Sequence, residues 1–536
     1  MKALRIGKSG IALTMAATLA LSACTSKGSP QSETPGTGET NGTTGTKAEA
    51  SKKISLNWFI TAPPNSVLPS ADKDFVRKTI EEKFNVDLHV EYMAAGSDYN
   101  TKINALLAST PPDMWRDANP DGGVQLVQNG LIADLTDFVS PQTMPNYFKH
   151  WVSKEVLQRY QVEGGFYLAP LPYRKKVYRS YYIRKDWLDA LNLKMPTNYK
   201  EYMEVLHQFT FKDPDGNGKN DTYGFTTSGG GTSIGYDWPE EINHGLLFPG
   251  FVEGNRFILS LYSPKMEQVL DDIAKAIDMQ VVDPDWYLNK NPQHIEKAIQ
   301  GRVGVVVGNS IDFALDNNEQ GIQYRSKQIN PKADWRPFTL FGDRPVMFDG
   351  APSSPFLFAK SVAAKNPEKV RRSVEILDWL ASEEGFLLTQ FGQEGKHYTR
   401  EGNTIQPDYE AYTNDIIKNG DYLRIWSFFT EAVRQPEVFG LELMDNKHTD
   451  RDRGILKWLE AQPTHMFTGG VSLIPPTNFD LAGVDKRRDE FLAKALFEDK
   501  SGKNWPRYLD ELLNKYKVKD LEDAYTENVR SAGVIR

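Results

Sequence analysis

From Ile54 the chain alternates: Ile54, Leu56, Trp58 and Ile60 occupy every second position, the period of a strand. Val76, Ile80 and Phe84 then recur every four residues, a helical stripe, and Val86, Leu88 and Val90 return to alternation. This strand–helix–strand opening predicts a parallel α/β sheet. The stretch YNTKINALLASTPPDMW, Tyr99 to Trp115, repeats the scheme, with a helix halted at Pro111-Pro112 and a short strand after it. Later, Asn366 is placed to cap a helix, Pro367 suits its first turn, and Val370, Val374 and Leu377 line one face, with an end expected near Gly385. From Asp485 to Arg530 the chain is charged and periodic, which predicts surface helices. No repeat of fixed period and no Pro/Gly-rich internal linker appears, so domains are expected to interleave along the chain.

The N-terminus points to export. Lys2, Arg5 and Lys8 precede the apolar run GIALTMAATLALSAC, too short for a typical membrane span. It ends in Leu21-Ser22-Ala23-Cys24, which resembles the lipobox of bacterial lipoproteins, whose cysteine is diacylated and begins the mature chain. Cys24 is the single cysteine of the 536 residues, so an internal disulfide is excluded. Thr25 to Lys53 is almost free of large apolar residues and reads as a flexible tether. The expected order is a signal peptide over 1–23, a lipidated cysteine and tether over 24–53, and a soluble remainder outside the cell membrane.

That remainder is long enough for two or three cores. A net charge of −8 argues against a nucleic-acid partner. With 11 Trp and 23 Tyr, the chain has aromatic faces to spare for sugar rings, although most such residues fill cores.

The densest chemistry is DPDGNGKNDTYG, Asp213 to Gly224. Asp213, Asp215 and Asn217 stand at positions 1, 3 and 5 of an EF-hand-type loop, Gly218 at its sharp turn, Lys219 where a backbone carbonyl is used, and Asp221 at position 9. Position 12 is Gly224 rather than Glu, so a last ligand falls to Thr222 or to a residue elsewhere. The alternative is a polar turn needing no metal. HExxH, CxxC and Walker A patterns are absent. GTSIG, Gly231 to Gly235, matches the spacing of a nucleophile elbow but follows a glycine loop instead of a strand. Glu240-Glu241 would need a distant carboxyl partner to act as a glycosidase. The basic, aromatic run Tyr173 to Lys185 reads as a strand with one solvated face, or as recognition of an acidic ligand through arginine.

Several segments together resemble the large solute-binding lipoproteins of carbohydrate ABC importers, in the branch that includes alginate-oligosaccharide binders. They are TPPDMW (Thr110–Trp115), NGLIADLTDFV (Asn129–Val139), GGFYLAPLP (Gly164–Pro172), YYIRKDWLDALNLKMPTNYKEY (Tyr181–Tyr202), NPEKVRRSVEILDWLASEEG (Asn366–Gly385) and FGQEGKHYT (Phe391–Thr399). The resemblance implies an α/β, two-lobed periplasmic-binding-protein-like fold with hinge crossings and a ligand cleft between lobes. The first lobe is expected over 54–170 with a return at about 345–400, and the second over 171–344 with a return at about 401–536. It also implies a structural Ca2+ at Asp213, Asp215, Asn217, Lys219 and Asp221; those relatives use Glu where Thr222 stands here. The implied function is capture of an oligosaccharide, neutral to acidic, by a lipid-anchored monomer that hands it to the permease, without catalysis. An exported polysaccharide-degrading enzyme and a binder of a non-sugar solute are the alternatives.

Polar or aromatic positions after predicted strands or in glycine-rich loops are the candidate ligand contacts: Trp58, Trp115, Asp117, Asn119, Tyr173, Arg174, Trp238, Glu240 and Asp349.

Overall fold

The computed structural model describes residues 53–536 apart from 64–65, 95, 118–122, 159–160, 163, 168–170, 248–249, 343, 351–354, 431–434 and 466–472. The signal segment, Cys24 and Asn119 therefore lie outside the described residues. The strands that build the frame are β1 (Ile54–Ala62), β2 (Val86–Ala94), β3 (Met114–Arg116), β4 (Lys176–Val177), β5 (Ser180–Arg184), β6 (Tyr223–Phe225), β7 (Val303–Gly308), β8 (Trp335–Phe338), β9 (Met347–Asp349), β10 (Phe356–Phe358) and β11 (Thr464–His465).

The first sheet has the order β10-β3-β1-β2. β1 runs parallel to β2, from Ile54 beside Val86 to Ala62 beside Ala94, and parallel to β3, with Trp58 beside Met114. Helix α1 (Phe75–Phe84) starts because the Asp74 carboxylate accepts the N–H groups of Val76 and Arg77; it stops at Asn85, which adopts the left-handed conformation with φ 50°. Helix α2 (Ser97–Ala108) makes the second crossover. Because β1 alternates, Leu56, Trp58 and Ile60 enter one core with Phe356, Phe358 and Trp426, while Phe59 enters a second with Tyr99, Trp115 and Leu357.

The second sheet has the order β8-β5-β7-β6. β5 is antiparallel to β8 and β7, and β6 is parallel to β7. Every residue of β5 is buried. Tyr181 and Ile183 face one core and Tyr182 another, so the solvated face expected for this strand is instead covered. The covering elements include α3 (Tyr199–Phe211), the short α4 (Pro239–Asn243) and α5 (Met266–Asp278).

Helix α6 (Pro367–Leu380) stops earlier than expected. Ser382 then caps α7 (Glu383–Gln390) by accepting the Gly385 N–H. Gly385 lies inside α7, where a Cβ would come within 2.3 Å of the Trp379 carbonyl oxygen. The glycine serves a close helix–helix approach instead of a stop. The C-terminal helices α8 (Leu481–Lys494), α9 (Trp505–Asn514) and α10 (Val518–Ser531) are likewise more than surface helices. Val484, Phe491, Leu492, Trp505, Tyr508, Leu512 and Val518 complete the core of the second sheet. The stretch expected in the second lobe from 401 onward divides: Ile405, Ile416, Tyr422, Trp426, Phe429 and Leu441 pack in the first core, since their apolar faces meet the helices behind the first sheet.

The third sheet, β11-β9-β4, is short. Its strands β4 and β9 lie where the chain passes between the two cores, and they pair antiparallel, Asp349 beside Lys176. Gly350 is obligatory here: a Cβ would fall 1.4 Å from the Arg174 carbonyl oxygen. Its N–H donates to the Lys175 carbonyl. No helix of the described residues is long and apolar enough to cross a membrane.

Candidate functional site: the edges of two sheets beside the crossing strands

In the first sheet β2 and β3 lie on opposite sides of β1, so the crossovers diverge at the carboxyl ends of β1 and β3. In open α/β sheets such a point leaves a crevice that takes ligands. Four side chains occupy it. Arg116, at the end of β3, donates from Nη1 to the Thr61 hydroxyl at 3.2 Å, and its guanidinium lies 4.2 Å from the centre of the Phe428 ring. Asp117 follows at once and is buried. Its N–H donates to the Pro355 carbonyl, which ties the crevice to the segment returning from the second sheet.

The equivalent edge of the second sheet gathers at the start of β5. Because β5 opposes β7, with Ser180 beside Gly308, the residue before β5 sits where β7 ends. That residue is Arg179. Its Nη2 contacts Asp237 Oδ1 at 3.0 Å and donates to the Tyr236 carbonyl, while the Thr227 hydroxyl holds the other oxygen of Asp237 at 2.8 Å. A small cavity between this edge and the third sheet is lined by Arg179, Tyr236, Trp238, Glu241, Phe348 and His465, among others. Tyr236 is 41% exposed.

Two carboxyls lie under the edge on α4. Burial pushes Glu240 up to about 7, against a hydrogen bond from the Tyr199 hydroxyl at 2.7 Å that favours the ionised form. Burial pushes Glu241 up to about 8, opposed by the charge of Arg179. One oxygen of each, Glu240 Oε2 and Glu241 Oε1, is buried without a hydrogen-bond partner among the described residues.

Most of the expected aromatic contacts are core residues. Trp58 is 1% exposed, donates from Nε1 to the Ser373 hydroxyl and packs on Phe429. Trp115 is equally buried, between Phe59, Tyr99 and Leu357. Trp238 is 1% exposed; its ring meets Trp286 edge-on at 5.0 Å and its Nε1 donates to the Ile234 carbonyl. Trp58 and Trp115 are candidates because they end or follow strands and Trp238 because it lies past the glycine-rich loop, but the pleat or the turn directs each inward. Tyr173 is buried in the first core under the Lys175 ammonium. Arg174 and Asp349 are exposed beside the crossing strands, Asp349 accepting from the Thr464 hydroxyl. Glu240 is buried against the Tyr199 hydroxyl. Asp117 is the candidate that lies in a crevice. The residues missed are Thr61, Arg116 and Phe428 on one edge, and Arg179, Tyr236, Asp237 and Glu241 on the other. Arg116 stood between two chosen neighbours, and the alternation of β3 puts it on the opposite face from Trp115. Arg179 belongs to the basic run whose alternative reading is recognition of an acidic ligand, five residues beyond Arg174.

The acidic loop gathers its three carboxylates around Asn217, two on its side chain and one on its backbone N–H. Asn217 Nδ2 donates to Asp215 at 2.9 Å and to Asp221 at 3.1 Å, and the N–H groups of Asn217 and Gly218 donate to Asp213. The Gly218 N–H holds Asp213 below its usual value, whereas burial and then the neighbouring Asp213 raise Asp215. The donors are the hard oxygens that calcium takes. They converge on the Asn217 amide, however, and no group of three His, Cys, Asp or Glu among the described residues is spaced to hold a metal. Thr222 departs from the expected ligand set. Its buried hydroxyl donates to the Phe209 carbonyl at 2.7 Å, which secures the end of α3. Ser233 of the GTSIG run accepts the Gly235 N–H within a turn, with no strand before it.

Two sheets with polar carboxyl edges, joined by a short sheet of crossing strands, define a two-lobed solute-binding protein. The chain belongs to the bacterial extracellular solute-binding protein family, whose sequence profile matches residues 76–391. That family is one of binders, in keeping with the non-catalytic expectation from the sequence. A relative, the polygalacturonan/rhamnogalacturonan-binding protein YtcQ of Bacillus subtilis, is 25% identical over 372 residues, 66% of this chain and 68% of that one. Among solved structures, an HMO-binding, ABC-transporter-associated solute-binding protein from Bifidobacterium longum infantis superposes with a TM-score of 0.64 at 19% identity, covering 88% of this chain and 98% of that one. The alginate-binding protein AlgQ2, solved without calcium ion, gives 0.59 at 16% identity over 90% and 99%. At these identities the two structures bear on the fold alone.

Proposed function

We propose that the protein captures an oligosaccharide outside the cell membrane and delivers it to the permease of an ABC importer. One observation carries the reading. Each sheet ends in an arginine near an aromatic residue: Arg116 lies over the Phe428 ring, and Arg179 donates to the carbonyl of Tyr236, which lines the same cavity. Sugars present apolar C–H faces and polar rims, which a ring and a fork of N–H donors match. Closure of two such edges by hinge motion is a standard way to enclose a solute. The polygalacturonan and rhamnogalacturonan in the name of YtcQ support an acidic sugar, as do the arginines.

In this reading the first lobe takes 54–173 and about 356–441 and the second about 181–340 and 484–518, a division that the two large cores support. Cys24 is the lipid anchor and the mature chain acts as a monomer. The acidic loop takes calcium through Asp213, Asp215, Asn217, Asp221 and the Lys219 carbonyl, without Thr222. Titration calorimetry with oligogalacturonides, neutral oligosaccharides and peptides tests the function. Saturable binding of a sugar, with no product released, is expected. Binding of peptides alone, or steady turnover, overturns the proposal.

A further inference from the structure

The cavity between Arg179 and the third sheet contains a carboxyl that the fold keeps out of water. Glu241 is 3% exposed, lines the cavity, and leaves Oε1 without a partner among the described residues. A buried polar atom without a partner is costly unless something supplies one. Resting on the proposed sugar capture, we infer that Glu241 binds as a neutral carboxylic acid and donates a hydrogen bond to a carboxylate of a uronate-containing oligosaccharide, beside Arg179.

The charges facing the cavity support this pairing. Arg179 is balanced by Asp237 at 3.0 Å. Arg344 is turned to the carbonyls of Ile242 and Asn243, at 3.0 and 2.5 Å. Pro345, Val346 and Phe348 bring no charge. His465, on β11, keeps its Nδ1 at 3.1 Å from the Met347 carbonyl. Glu240, the neighbouring acid, is engaged by Tyr199 at 2.7 Å. Arg488 bears on the Tyr236 hydroxyl, as do the Asp485 and Asp489 carboxylates that pair with it at 2.5 and 2.9 Å. With Glu241 neutral, the Arg179–Asp237–Glu241 group carries no net charge. With Glu241 ionised it would carry one negative charge and repel a uronate. Burial supplies the neutrality, since it holds Glu241 up to about 8. A neutral acid also presents a donor and an acceptor together, which suits a carboxylate with a hydroxyl beside it.

The test is the pH profile of affinity, measured by calorimetry on the full mature chain from pH 6 to 9.5, with a trigalacturonate and its fully methyl-esterified form. The trigalacturonate is expected to bind evenly up to about pH 8 and roughly thirtyfold more weakly at 9.5, as Glu241 ionises. The ester is expected to lose much less. Glu241→Gln carries the same donor–acceptor pair at every pH and should erase the slope, whereas Glu240→Gln should keep it. A slope that survives in Glu241→Gln, a flat wild-type profile, or equal losses for acid and ester overturns the inference while leaving sugar capture standing. Binding of neither probe, alongside no binding of any other sugar, overturns both.

Discussion

The two cleft edges are built in different ways. On the first sheet, Arg116 donates to a hydroxyl and lies over an aromatic face, and the next residue, Asp117, is buried. On the second, Arg179 is paired with a carboxylate at the edge itself, and two further carboxyls are submerged nearby in raised, proton-holding states. The first edge is built by strand ends, the second by a turn and the five-residue helix α4 packed over a tryptophan cluster. Strand ends present groups by register alone. A turn presents them only if its packing holds, so the second edge should be the more sensitive to core changes.

The largest expected effect follows from that difference. Trp238 caps α4 and fills the space between Phe225 and Trp286. Trp238→Ala should cost about 3–5 kcal/mol through the cavity it leaves. It should lower the melting temperature and, with it, displace Glu241 and Tyr236. Scanning calorimetry without ligand checks this. A melt like that of the wild type would return Trp238 to the role of a sugar-stacking residue.

A pH test separates the edges next. The Glu240 carboxyl releases its proton near 4.5 when unfolded and about 7 when folded. Between those values the folded state binds more protons, so stability is greatest below 4.5 and falls as pH rises towards 7. Glu240→Gln should remove the fall, leaving the variant about 2–3 kcal/mol more stable than wild type at pH 8 and similar near pH 4. Urea unfolding at both pH values measures it. Equal stabilities at pH 8 would place the carboxyl in contact with water.

Much of the first lobe was legible because its elements are long and its signals local. Asp74 and Asn85 bracket α1, and the alternation of β1 assigns Trp58 and Phe59 to opposite faces. The same alternation, carried through, would have moved Trp58 and Trp115 out of the site. The second edge was illegible for a different reason. Tyr236, Asp237 and Glu241 owe their placement to Arg179, more than fifty positions away along the chain, and to burial that no local pattern records. The acidic loop lay between these cases. Its spacing announced Asp213, Asp215, Asn217 and Asp221, but Thr222 was lost to a backbone carbonyl thirteen residues back.

On the first edge, Arg116→Met should keep most of the side chain's packing while removing its donors. Sugar affinity is expected to fall about tenfold, or ~1.4 kcal/mol. The melt should change less than in Arg179→Met, because the first edge is held by strand register whereas Arg179 holds the turn through Asp237 and the Tyr236 carbonyl. Isothermal titration and thermal melts of the two variants give the contrast. A larger melting loss for Arg116→Met would reverse the distinction between the edges.

The smallest effect concerns the loop, remote from either edge in its chemistry. With Asp213, Asp215 and Asp221 around one amide, a cation would relieve their repulsion, and Asp215 must give up any proton it holds first. Calcium at tenfold over its dissociation constant would add about 1.4 kcal/mol, a shift of a few degrees at most in a chain of this size. That shift should shrink as pH falls, because Asp215 is held above its usual value by burial and by Asp213. Chelator should lower the melt, Asp215→Asn should abolish the response, and Thr222→Val should retain it, since the Thr222 hydroxyl serves the Phe209 carbonyl. Thermal melts with and without calcium at pH 7 and pH 5 decide. A Thr222→Val protein that no longer responds would restore that residue to the ligand set. A wild-type melt indifferent to both calcium and chelator would make the loop a hydrogen-bonded turn held by Asn217 alone.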